Sequence, residues 1–169
     1  TQRFSTAGLS MAQNTAAMVA TAAASDNASD FSGADFSTRP TTVATNWTPA
    51  PWRTENPPAV TDSGADVTEQ VQTVVNRAGW CGNNAMSFHI TPQAGNTSTR
   101  VAYSIDGAGG LQPVLNISYS GGSSGCLNPI IELRVNAEKD DAYQSSDGTV
   151  SVAGNTLDLS RAMIGARFE

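Results

Sequence analysis

Residues 84–92 read NAMSFHITP. Met86, Phe88 and Ile90 alternate with Ser87 and His89, and a period of two marks a strand with one face toward a core. On this reading His89 points away from the Phe88 side, toward solvent. Immediately upstream the period differs. In ADVTEQVQTVVNRAGW (65–80), Val67, Val71, Val74 and Val75 fall on one stripe of a helix. Asp66 stands where an N-cap is needed, with Glu69 three residues on as its capping-box partner. Gly79 offers a left-handed stop. The pattern predicts one short amphipathic helix at about 66–78, laid against something apolar.

Downstream the period stays at two. TRVAYSID (99–106), PVLNISYS (113–120), IIELRVNA (130–137), GTVSVAG (148–154), TLDLS (156–160) and AMIGARF (162–168) read as short strands, with Gly, Asn and Asp at their boundaries. Upstream of the helix, TTVATNW (41–47) has strand alternation inside a Pro-, Asp- and Ser-rich stretch. Trp47 and Trp52 are expected to pin that stretch to the core, the other reading being a sugar-stacking platform. The Ala-rich residues 11–24 are ambiguous between a helix, which propensity favours, and short strands. The fold class expected is all-β: an antiparallel, jelly-roll-like β-sandwich with one helix.

Composition narrows the function classes. The chain has 169 residues, with 15 acidic against 9 basic side chains. The arginines and Lys139 are scattered singly, so the basic stripe that nucleic-acid binding needs is missing. No run of about 18 apolar residues spans a bilayer. Residue 1 is not followed by a basic and then an apolar stretch, so a secreted setting expects its leader to have been removed already. The cysteines, Cys81 and Cys126, lie beside turn-forming residues in WCGNN and GGSSGCLNP. Their spacing suits neither a zinc site nor a redox motif. A disulfide in a secreted protein is favoured over two free thiols. Closing a loop of about 45 residues would stabilise by about 4 kcal/mol on the chain-entropy model.

His89 is the single histidine. Without a second one, a Cys/His pair or a G-x-S-x-G turn, a nucleophilic triad has no parts, and no catalytic residue is assigned. The protein is expected not to be an enzyme. Hard oxygen ligands clustered on loops hold Ca2+; the candidates here are Asp106, Asp140 and Asp141, with Glu138 and Asp147 nearby. The competing reading has these carboxylates capping turns.

Four stretches follow one another in a familiar order: ASDNASDF (24–31), STRPTTVATNWTPAPW (37–52), DVTEQVQTVVNRAGWCGNNAMSFHI (66–90) and TRVAYSIDGAGGLQPVLNISY (99–119). Together they resemble a bacterial extracellular β-sandwich module. It occurs in large surface proteins, including relatives of the type IV pilus tip adhesin, and is similar to carbohydrate-binding jelly rolls. The resemblance covers residues 24–119 and is firmest at NRAGW with GNNAMSF after it. No binding residue is carried over from the strand around Ile105, where the family often has Glu.

In that module, segments like EKDDAYQSSDGTVSVAGNTLDLSRAMIGARFE (138–169) come first; here they come last. The resemblance thus implies a rotated strand order. Residues 1–119 form the main part of the sandwich, 120–129 a Gly/Ser hinge, and 130–169 strands that complete a sandwich in the same or a neighbouring chain. A permuted monomer, insertion into a neighbour, and a piece of a tandem array are the three physical accounts. Either part alone would expose unpaired strand edges. Giving them to an identical copy is head-to-tail and propagates as a fibre. The self-associating side chains expected are Ile131, Leu133, Val135, Val150, Val152, Leu157, Leu159, Met163, Ile164 and Phe168. The expected function is a secreted structural or adhesive subunit at a bacterial cell surface, built into a fibre of identical subunits. The alternative is a carbohydrate-binding module that recognises surface glycans.

Overall fold

The computed structural model describes residues 2–5, 15–32, 37–51, 64–80, 84–107, 111–118, 131–135, 137–145, 147–154, 156–158 and 163–168. These are mostly antiparallel strands with a single short α-helix. In chain order they are β1 (Gln2–Ser5), β2 (Met18–Ala22), β3 (Thr45–Trp47), β4 (Ala65–Asp66), α1 (Thr68–Val75), β5 (Met86–Pro92), β6 (Val101–Tyr103) and β7 (Val114–Ile117). Then follow β8 (Ile131–Arg134), a 3-10 turn at Glu138–Asp140, β9 (Asp141–Gln144), β10 (Val150–Ser151), β11 (Thr156–Asp158) and β12 (Met163–Phe168).

The largest sheet has the order β10-β9-β12-β5-β2-β3. A second has the order β4-β1-β7-β8, and β11 pairs with β6. Strand β5, read from its alternation, lies inside the six-stranded sheet. Its Ile90 stands opposite Ile164 on one side and Ala20 on the other.

One hydrophobic cluster draws on both larger sheets and on the helix. It contains Met18 and Phe88 from the six-stranded sheet, Ala65 and Leu115 from the four-stranded one, and Val71 and Val74 from α1. Phe168 of β12 is fully buried in it and meets the Phe88 ring edge-on, with centroids 5.9 Å apart, a favoured aromatic geometry. Trp47 is buried in the same cluster, as expected of an anchor.

The helix buries Val67, Val71 and Val74, the stripe read from sequence. It is shorter than expected, Thr68–Val75, because Asp66 belongs to β4, where it pairs with Arg3. The N-cap position falls on Val67 and not on Asp66 as expected; Asp66 Oδ1 accepts from the Thr68 amide at 3.0 Å and the Thr68 hydroxyl at 2.6 Å. Gln70, also fully buried, ties the helix to the approach of β3. Its Nε2 donates to Val43 O at 3.0 Å and Thr45 Oγ1 at 2.7 Å.

Two expectations are corrected and one open reading is decided. Gly79 is not a left-handed stop: the described glycines with positive φ are Gly95 and Gly148. A Cβ at 79 would meet the Asp26 carboxylate, so a larger residue there requires the Asp26–Arg77 pair to shift. In the Ala-rich segment, left open between a helix and short strands, residues 18–22 form a strand. Met18, Ala20 and Ala22 are fully buried on one face, so tertiary context overrides a weak local preference. Finally, His89 does not face solvent; it is 1% exposed. The sheet is covered on both faces at this point, and the second cover comes from a loop.

Candidate functional site

The face of β5 opposite the main core carries Ser87 and His89. Across the sheet, His89 stands level with Thr21 of β2, Gly165 of β12 and Ala142 of β9. Two residues along, Ser87 stands opposite Arg167. With glycine at 165, this row has a gap in its side chains beside His89.

The segment Asp26–Phe31 lies over that face. Phe31 is fully buried and clusters with Ala142, with Val150 and Val152 packed against them. Its ring centroid is 6.3 Å from that of His89, and the Arg39 guanidinium lies 4.8 Å from its centroid, within cation–π range. The same arginine binds the loop backbone, donating to Ser29 O at 2.7 Å and Asp30 O at 2.5 Å.

Most of what this segment touches on one side belongs to the C-terminal strands. The Phe31 amide donates to Lys139 O at 3.0 Å. Asp30 and Lys139 form an ion pair at 3.0 Å. Arg167 donates through Nε to Ala28 O at 2.7 Å and through Nη1 to Asp140 Oδ1 at 2.7 Å. On its other side the segment is fixed to the turn after α1. Asp26 pairs with Arg77 at 2.5 Å, Asn84 donates to Asp26 O at 2.9 Å, and Asn27 Oδ1 accepts from the Ala85 amide at 2.8 Å. Asp26, Asn27 and Ala28 are therefore packed on Arg77, Asn84 and Ala85, in two stretches both prominent in the family resemblance.

The electrostatics follow from this packing. Burial, and then the Arg39 charge, push the His89 imidazole down to about 4, since a low-dielectric site disfavours the charged form. The Ser32 hydroxyl and the Lys139 ammonium hold Asp30 down to about 2. Lys139 is raised in turn by its bond to Asp30. An open recess of about 190 Å3 borders the segment, with Ser25, Ser29, Arg39 and Pro40 in its wall.

The residues singled out from sequence are distributed as follows. Val135 and Phe168 are buried in the main cluster, and Val150 and Val152 pack near Phe31. Ile131, Leu133, Leu157, Met163 and Ile164 are placed by backbone pairing in β8, β11 and β12. Leu159, Cys81, Cys126 and Trp52 lie outside the described residues. Asp140 is spent on Arg167, and Asp141 Oδ2 accepts the Ile105 amide at 3.0 Å. Asp106 is exposed in a turn, its own amide donating to Ser104 Oγ at 3.2 Å. Asp147 accepts the Thr149 amide at 2.9 Å as a turn cap. Among the described residues no three or more His, Cys, Asp or Glu side chains converge as a metal site. Also among the described residues, no helix is long and apolar enough to cross a membrane.

Sequence reasoning missed Asp26, Asn27, Phe31 and Arg39. The one available signal was Phe31 itself, a large apolar side chain in a polar loop. Comparison with known proteins finds no family model, no curated protein and no solved structure that matches the chain.

Proposed function

We propose that the chain is a secreted structural or adhesive subunit of a bacterial surface fibre or pilus-associated assembly. Its two larger sheets pack face to face as a jelly-roll-like sandwich, and copies join by exchanging their C-terminal strands. The observation that supports this reading is the way residues from Ile131 onward meet the rest of the chain. They do so along three strand edges: β8 on β7, β12 on β5, and β11 on β6. Strand addition uses the same main-chain bonds whether the added strand comes from the same chain or an identical copy. Between β7 and β8 the sequence runs SGGSSG at 120–125, a composition common in linkers.

The test is light scattering coupled to size exclusion, on the full chain and on a variant with 121–125 deleted. A shortened hinge disfavours closure within one chain and drives exchange. Dimers or longer species are expected from the deletion variant, and from the full chain refolded at high concentration. A folded monomer from both, at every concentration, would overturn the proposal. A non-reducing gel tests the accompanying proposal that Cys81 and Cys126 are joined.

A further inference from the structure

We propose that residues 26–31 form a latch that locks the C-terminal strands into their own chain, and that protonation of His89 beneath Phe31 releases it. The contacts point one way. Ala28, Asp30 and Phe31 bind Arg167, Lys139 and Ala142, all in the C-terminal part. Asp26 and Asn27 bind Arg77, Asn84 and Ala85, all in the main part. The segment thus bridges the seam where β12 lies against β5, and opening that seam requires breaking it.

His89 sits at the seam, 1% exposed and under the Phe31 ring. Among the described residues, the charged groups on the elements around it bear on what a proton does there. Arg39 lies over Phe31 from the loop. Arg167 is two residues along β12 from Gly165, which pairs with His89. Asp140, from the 3-10 turn, is paired with Arg167. Asp30 and Lys139 neutralise each other at the rim. A charged imidazole would therefore form away from water, with the Arg39 guanidinium over the same Phe31 ring. Lifting Phe31 and admitting water relieves this, and lifting Phe31 undoes the latch. The consequence for assembly rests on the strand-exchange reading; the latch does not.

The experiment is amide hydrogen exchange on the dilute full chain from pH 7 to pH 4, expressed as protection factors corrected for intrinsic rates. Protection of the β12 amides is expected to fall by about tenfold or more between pH 6.5 and 4, while β1 and β7 keep theirs. His89→Gln is expected to flatten that dependence, and Phe31→Ala to lower β12 protection already at pH 7. NMR titration of the imidazole in the unaltered protein serves if His89→Gln does not fold: its midpoint must coincide with the opening. Unchanged β12 protection down to pH 4, the same loss in folded His89→Gln, or an imidazole that titrates without opening would overturn the latch. Light scattering at pH 4 on the chain concentrated to the millimolar range separates the two readings: opening without association at that concentration refutes strand exchange and leaves the latch standing.

Discussion

Replacing Arg167 by methionine tests the seam most directly. The Arg167 side chain is 12% exposed and that of Asp140 is 0% exposed, with their atoms 2.7 Å apart. The second carboxylate oxygen, Asp140 Oδ2, is buried and makes no hydrogen bond among the described residues, so Arg167 is the group that compensates the charge. Removing one member of such a pair strands a buried charge and costs about 3–5 kcal/mol. Arg167 also holds Ala28 O through Nε, and a charge-assisted bond of that kind contributes about 1.5–3 kcal/mol. The loss is large against a whole-domain stability of about 5–15 kcal/mol. The assay is a double-mutant cycle by urea denaturation, with Arg167→Met, Asp140→Leu and both together. Both single changes are expected to be costly. The double variant should recover at least about 1.5 kcal/mol of their sum, because an apolar pair of similar volume leaves no charge behind. Additive costs, or a cost for Arg167→Met below about 1 kcal/mol, would refute the buried coupling from which the seam's geometry is argued.

Three further outcomes are expected. His89 has its folded value depressed from 6.5 to about 4, so the unfolded chain binds more protons between those limits. Its contribution is intact above pH 6.5 and is lost as pH falls toward 4, by about 3 kcal/mol in all; unfolding free energies against pH, for the protein and for His89→Gln, check this. Gly79→Ala puts a Cβ against an Asp26 side chain held by Arg77. It should cost about 1–3 kcal/mol in thermal unfolding, most of it recovered when Asp26 is also made glycine. Phe168→Ala removes a fully buried ring from contact with Phe88, and denaturant unfolding should show a loss of about 3–5 kcal/mol.

Two elements could be read from local pattern because one periodic face was enough to define them. The valine stripe of α1 and the alternation of β5 both place their apolar residues in the core. Strand β2 could not be read this way. Alanine favours a helix in isolation, and what decides otherwise is β5 alongside it, 66 to 74 residues away in sequence, from the pairing of Ala22 with Phe88 to that of Met18 with Pro92. His89 exposes a different limit. Alternation separates the two faces of a strand but does not say whether the second is covered. The cover here is a loop with no period, fixed by single contacts such as Asn27 to Ala85 and Phe31 to Lys139. Loops of this kind owe their position to partners scattered over the chain, and no window of sequence contains those partners together.

On the strand-exchange reading we propose, the latch would bear on assembly through rate more than through equilibrium. A closed chain and an exchanged pair make the same contacts along β5, β6 and β7, so contact energy does not favour either. Tethering gives the tail an effective concentration of order mM at its own sheet, which favours the closed chain in dilute solution and gives way where copies are crowded. Before any exchange, however, β12 must leave β5, and the β12–β5 seam is bridged by Asp26–Phe31. Opening is unimolecular. An assembly limited by it would therefore proceed at a rate nearly independent of protein concentration, and faster wherever the bridge is weakened. Crowding would decide how much fibre forms, while Phe31, Arg167 and His89 would decide how soon.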